Sequence, residues 1–209
     1  MYCNMIYTEE HGSVKRQSNK LLISVLDRAE CERWIAKIDT AMDGSPILCG
    51  SLCMPAIHAD LSEVVRRAIK GNFPCWGEED VLVSARWFYT RYDTRKGKHG
   101  TVEMQNHADG TVWIEGPSSD KQRTRSNVTL LLYLNDNFEG GMTTFMSGPP
   151  PDAVPTRSVV PEPGKALLIR QDAWHRGDRV TSGVKYLMRT DISLPHCGLC
   201  IYDIGYDGS

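Results

Sequence analysis

Residues 128–134 read Val-Thr-Leu-Leu-Leu-Tyr-Leu, and this short run constrains the fold more than any other. In a strand, side chains alternate between faces. Val128, Leu130, Leu132 and Leu134 then share one wholly apolar face, which is the packing face, while Thr129, Leu131 and Tyr133 share the other. The same rule applied to the last long apolar run puts Lys185, Leu187, Arg189 and Asp191 on one face. Two strands that send hydroxyls and charges to one side and leucines to the other need a polar interior cavity as well as a packed core. From Val81 onwards the chain is a series of such stretches rich in Val, Leu, Thr, Tyr and Phe, punctuated by Gly, Pro, Asp and Asn, which predicts a mainly β protein.

The segment before it reads as a strand and two helices. Asp27 followed by Glu30 has the spacing of a capping box, and Cys31, Trp34, Ile35 and Ile38 then fall at i, i+3, i+4 and i+7, which makes Trp34 a core residue. Leu61, Val64, Val65, Ala68 and Ile69 repeat the stripe, with Gly71 as the expected C-terminal cap. With 209 residues, 41% of them hydrophobic, one β-rich domain is expected over 1–209: a strand and helices in 1–80, a catalytic core in 81–193 and a tail in 194–209.

His107-Ala108-Asp109 would aim an imidazole and a carboxylate from one strand at a common point, and His175 offers a second imidazole. Two imidazoles and one carboxylate on one side of a metal leave coordination positions open on the other, the arrangement of non-haem Fe(II) oxygenases; a four-ligand structural zinc site leaves none. Each half is weak alone, since His-x-Asp occurs by chance and a single histidine is more often a satisfied core or surface residue. Lys185, ten positions after His175, adds a cation on a face that points inward.

Four stretches in this order carry a family resemblance: Phe88 to Tyr92, His107 to Gly110, Thr129 to Phe145 (TLLLYLNDNFEGGMTTF) and Pro161 to Asp191 (PEPGKALLIRQDAWHRGDRVTSGVKYLMRTD). Together they span about half the chain, and they resemble the Fe(II)- and 2-oxoglutarate-dependent dioxygenases of the prolyl 4-hydroxylase-like branch. The resemblance implies a double-stranded β-helix, or jelly roll, with helices packed outside one sheet. It also implies iron ligands at His107, Asp109 and His175, and a distal 2-oxoglutarate carboxylate held by Lys185 with Tyr133, Tyr92 and Thr143. Arg189, on the same face as Lys185, is the alternative anchor, a substrate contact or a structural partner of Asp191. The implied reaction couples oxidative decarboxylation of 2-oxoglutarate to succinate and CO2 with O2-dependent oxidation of a C–H bond, most often hydroxylation, with ascorbate as an accessory reductant. The chain departs from the pattern at Met142, where a glutamate is common, and in a longer stretch between Tyr92 and His107. Two rival classes are a jelly-roll sensor without turnover and a cupin-like zinc or manganese enzyme; for the second, the expected His-x-His followed by glutamate is missing.

A net charge of −2 from 24 basic and 26 acidic residues lacks the footprint of a nucleic-acid binder, and no apolar run is long enough to span a membrane. With no apolar leader at the N-terminus, a cytoplasmic protein is expected, acting on a peptide or small-molecule substrate; oligomeric state is left open. Seven cysteines read mostly as reduced thiols, Cys49 with Cys53 and Cys197 with Cys200 forming weak metal-binding patterns at best. Arg91, Arg95, Lys96, Lys98 and His99 crowd one expected loop and Lys121, Arg123 and Arg125 another, read as solvated loops ahead of an anionic-substrate funnel. Substrate recognition is expected in three connections: Asp93 to Glu103, with Gly97 and Gly100 as hinges, Gly116 to Ser126, and the proline-stiffened Ser147 to Arg157.

Overall fold

A computed structural model describes residues 22–43, 53–73, 81–95, 102–115 and 123–194. The N-terminal part holds β1 (Leu22–Ser24), α1 (Arg28–Asp43), β2 (Cys53–Ile57) and α2 (Ala59–Asn72). Helix α1 starts as its sequence predicts: the Glu30 amide donates to Asp27 Oδ1 at 2.7 Å and the Asp27 amide donates to Glu30 Oε2 at 2.9 Å. This reciprocal pair satisfies two donors that a helix start otherwise leaves without partners. Cys31 and Ile38 are buried, and Trp34 packs partly buried against the core, its ring edge-on to His58.

Two details differ from the sequence reading. Helix α2 does not stop at Gly71 but runs to Asn72, whose side-chain amide donates to the Ala68 carbonyl, with the Phe73 amide closing on Ile69. An additional strand, β2, precedes α2. Its Pro55 lowers the strand signal, yet β2 lies at the edge of its sheet, where a missing N–H costs no ladder bond on the open side.

The rest is β3 (Leu82–Asp93), β4 (Met104–His107), β5 (Trp113–Glu115), β6 (Arg123–Arg125), β7 (Val128–Tyr133), β8 (Phe138–Gly140), β9 (Thr143–Met146), β10 (Pro155–Val159), β11 (Lys165–Arg170), β12 (His175–Gly177) and β13 (Val180–Ser193). A large antiparallel sheet runs β1-β11-β7-β13-β3-β2, with β8 added against β13; a small sheet runs β10-β9-β12-β4, and β5 and β6 form a separate pair. The two main sheets make the jelly roll.

The outer face of the large sheet carries Leu130, Leu132, Trp87 and Met188, all fully buried. Burial of each is worth about 2 kcal/mol, and the two helices lie over this face. Trp87 Nε1 donates to Ser62 Oγ of α2 at 2.9 Å, while Arg91 pairs with Asp39 and Asp43 of α1 at 2.7 Å each and Tyr186 Oη donates to Asp39. Arg91 is therefore an outer-face tie between sheet and helix and not part of a basic loop. Arg95 pairs with Asp93; Lys96, Lys98 and His99 lie outside the described residues, as do Lys121, Cys49, Cys197 and Cys200. Among the described residues no helix is long and apolar enough to cross a membrane.

Candidate metal centre and co-substrate pocket

The inner face collects the expected polar residues. Register pairs Lys185 with Tyr92, Leu187 with Thr90 and Tyr133, and Arg189 with Leu131, so these side chains sit side by side facing the small sheet. From the small sheet, His175 lies directly opposite His107 across the β12–β4 ladder, with Phe145 opposite it on the other side. Asp109, two residues past the end of β4, completes a cluster with His107 and His175 in which one donor atom from each lies within 4.8 Å of the others.

Backbone contacts orient both imidazoles alike. His107 Nδ1 lies 2.7 Å from the Gln105 carbonyl and His175 Nδ1 lies 3.0 Å from the Ala173 carbonyl, each acceptor two residues back along the chain. A carbonyl only accepts, so Nδ1 carries the hydrogen and the Nε2 lone pair is left facing the cluster. Burial holds the His175 pKa below its ordinary value, which keeps that ring neutral and able to donate an electron pair. The two Nε2 atoms stand 3.7 Å from Asp109 Oδ1 and Oδ2 respectively.

Asp109 supplies the test of whether a cation fits. Its Oδ1 accepts from Arg189 at 3.2 Å, but its Oδ2 is buried without a hydrogen-bond partner among the described residues. An unpaired buried carboxylate oxygen is costly, and a cation between it and the two Nε2 atoms would remove that cost. Two neutral nitrogens and one carboxylate suit Fe(II), and they come from one side only, leaving room for further ligands.

That room is a cavity lined by Lys185, Tyr92, Thr143, Leu131, Leu187 and Arg189 together with the triad. Lys185 is 2% exposed, and burial pulls its pKa down to about 8 from 10.5. Its ammonium donates to the Gly141 carbonyl at 2.6 Å and lies 5.5 Å from the ring centres of Tyr92 and Tyr133. Tyr133 and Thr143 hydroxyls are 2.7 Å apart, bridging the sheets beside it. A buried cation beside this hydroxyl pair, with no carboxylate paired to it among the described residues, can receive a ligand carboxylate.

Arg189, which also lines the cavity, is tied to two carboxylates. Its Nη2 is 3.2 Å from both Asp109 Oδ1 and Asp191 Oδ1, and Asp191 also accepts from Gln171 at 3.0 Å. The guanidinium thus spans from Asp191 to the triad carboxylate. The structural pairing with Asp191 was legible from their shared strand face; the tie to Asp109 was not, because Asp109 lies in a loop whose path no periodicity predicts. The proline-rich connection 148–155 lines neither this cavity nor the larger one beside it, and most of the other two expected recognition loops, 96–101 and 116–122, lies outside the described residues.

A jelly roll with an open two-histidine, one-carboxylate cluster beside a buried lysine defines a mononuclear metal oxygenase. The family model described as the 2OG-Fe(II) oxygenase superfamily matches residues 88–190, the stretch from β3 to β13 that contains the whole site. The chain belongs to the 2OG-Fe(II) oxygenase superfamily: it is an enzyme that uses Fe(II) and 2-oxoglutarate to oxidise a substrate. No curated protein matches the sequence. Among solved structures, the chain is similar to the viral collagen prolyl hydroxylase of Paramecium bursaria Chlorella virus-1 in complex with 2OG, with 15% identity, TM-score 0.53, and 83% of this chain and 94% of that one covered. It is also similar to the non-heme alpha-ketoglutarate-dependent epimerase SnoN from nogalamycin biosynthesis, with 14% identity, TM-score 0.56, and 90% and 85% covered. A third is CytC3 with Fe(II) and alpha-ketoglutarate, with 14% identity, TM-score 0.52, and 86% and 75% covered. At such identities the likeness concerns the fold.

Proposed function

We propose that His107, Asp109 and His175 hold Fe(II), and that Lys185, with the Tyr133, Tyr92 and Thr143 hydroxyls beside it, binds the distal carboxylate of 2-oxoglutarate. The observation that carries this reading is the pairing of two unmet needs within one cavity. Among the described residues, a buried carboxylate oxygen of Asp109 has no hydrogen-bond partner, and the buried Lys185 ammonium donates to a carbonyl with no carboxylate paired to it. A cation meets the first and a dicarboxylate meets the second. Bound there, Fe(II) would let O2 react with 2-oxoglutarate, one oxygen atom ending in succinate as CO2 is lost and the other oxidising a substrate C–H bond.

The chain's own contribution is placement. Gln105 and Ala173 carbonyls fix the imidazole orientation, Arg189 holds Asp109 by its outer oxygen, and Leu131 and Leu187 keep the cavity wall dry between the metal ligands and Lys185. The product is a hydroxylated peptide residue, such as the prolyl residue that the viral hydroxylase's name implies, or a hydroxylated small molecule. In this reading residues 81–193 form the catalytic core, and the reaction takes place in the cytoplasm.

Succinate formation from 2-oxoglutarate, with mass gain on candidate peptides and small molecules, tests the reading. Turnover must need Fe(II) and O2. Activity with Zn(II) in the absence of 2-oxoglutarate would move the chain to the cupin-like class, and iron binding without 2-oxoglutarate consumption would make it a sensor.

A further inference from the structure

Beside the metal centre lies a second and larger cavity of about 480 Å³, within the range of small-molecule sites. Its floor is the open end of the large sheet's inner face, with Arg86, Phe88, Arg189 and Asp191, and its wall is the β5–β6 pair, including Trp113 and Arg123. Arg189 lines both cavities, so whatever occupies the larger one lies one side chain away from Asp109.

The charges at this cavity do not all cancel internally. Arg189 and Asp191 pair at 3.2 Å, and Arg123 pairs with Glu115 at 3.1 Å. Arg86 remains. Among the described residues no carboxylate forms an ion pair with it; its guanidinium stands 4.9 Å from the ring centre of Phe88, with Arg189 at 5.8 Å from the same ring. An arginine stacked on an aromatic face keeps its donor edge free and oriented for a planar anion. Trp113, 59% exposed, adds an indole on the facing wall; the Arg125 guanidinium lies 5.1 Å from its ring centre, outside the cavity lining, and the rest of the indole is in contact with solvent.

We infer that this cavity is the prime-substrate site and that it takes a small carboxylate-bearing molecule with an aromatic or flat apolar body, its carboxylate on Arg86 and its body between Phe88 and Trp113. The inference deepens the oxygenase reading and rests on it for the word substrate, but the binding claim stands on this cavity alone. Among the described residues that line the cavity, Arg86 is the cation without an ion pair, and one such cation above one ring recognises a single anionic group on a compact body. Arg86 comes from the outermost part of that inner face, so a molecule held there extends inward along Phe88 towards Arg189 and the triad. Specificity then comes from Arg86, and the co-substrate's carboxylate is taken separately by Lys185.

The test uses the full chain loaded with Mn(II) and 2-oxoglutarate, and a panel of aromatic and aliphatic carboxylates, each paired with its neutral amide. Binding is read by ligand-observed NMR, independently of turnover. Aromatic acids should bind at least tenfold more tightly than their amides, and Arg86→Gln should remove that preference without changing 2-oxoglutarate affinity or melting temperature; Arg86 is exposed, so the substitution does not threaten folding. Arg86→Lys should restore part of it. No acid preferred over its amide, or a preference that survives Arg86→Gln, overturns the inference. Selective binding of acidic peptides over every small acid also overturns it, in favour of a polypeptide substrate. With Fe(II) in place of Mn(II), absence of succinate formation while the Arg86-dependent binding persists would overturn the oxygenase reading and leave the anion site intact.

Discussion

Replacing Lys185 with methionine should weaken co-substrate binding and stabilise the empty protein at the same time. Burial pulls the Lys185 pKa to about 8 from 10.5, so the folded state holds this proton less tightly than the unfolded chain does. Below about pH 8 the ammonium is present in both states and its burial costs about 3 kcal/mol; the cost disappears as pH rises from 8 through 10.5, where only the unfolded chain keeps the proton. Methionine of similar length removes that cost but also the bond to the Gly141 carbonyl, worth roughly 1–2 kcal/mol. A net gain of about 1–2 kcal/mol remains, or roughly 3–6 °C in the melting temperature of the metal-free protein at pH 7. The effect on 2-oxoglutarate has the opposite sign. Removing one partner of a buried ion pair costs about 3–5 kcal/mol, which raises the dissociation constant by roughly two to four orders of magnitude. Calorimetry with Mn(II) in place of Fe(II) should show this at pH 7. In the unmodified protein the dissociation constant should rise about tenfold per pH unit above 8, as the ammonium is lost, and in the variant it should be flat. An unchanged affinity in Lys185→Met would transfer the anchor to Arg189, and a lower melting temperature would refute the claim that the buried ammonium is a burden awaiting its partner.

Gly141→Ala should raise the 2-oxoglutarate dissociation constant and lower stability by about 1–2 kcal/mol, measured by calorimetry and denaturant titration: Gly141 has φ +64°, and an added Cβ would stand 2.9 Å from Phe138 and 3.2 Å from Lys185 Cδ. Asp27→Ala removes one half of the α1 capping box and should cost about 1 kcal/mol in a denaturant titration with no change in co-substrate affinity, since the cap is on the far side of the sheet from the site. Arg189→Met should leave Asp109 Oδ1 without its donor and weaken metal binding, read by Mn(II) titration, while Lys185-dependent pH behaviour of co-substrate binding persists.

The inner face of β7 and β13 was legible in the sequence because alternation is a local rule: Tyr133, Lys185 and Arg189 could be placed by counting residues along each strand. The capping box at Asp27 and Glu30 was legible for the same reason. What escaped depended on contacts between distant segments. Arg91 sits among other basic residues in the sequence, yet its partners Asp39 and Asp43 come from a helix some fifty residues earlier. β2 escaped because Pro55 is tolerated only at an edge, and edge position is a property of the assembled sheet. Gly71 looked like a helix stop, but nothing at that position requires the left-handed conformation a glycine cap uses, so the helix continues to Asn72. That His107, Asp109 and His175 come together could be expected from residue types and spacing, whereas the Asp109 oxygen left without a partner among the described residues, which argues for a cation, depends on the packed surroundings.

The most direct measurement of the central claim is the stoichiometry of Fe(II) and its coupling to succinate in the unmodified chain and in His107→Ala, Asp109→Ala and His175→Ala, each checked for a cooperative melt. The unmodified chain should bind one Fe(II) and form succinate from 2-oxoglutarate only when Fe(II) and O2 are present, and each variant should stay folded and lose that turnover. Full turnover in any one folded variant would remove that residue from the metal site and contradict the account.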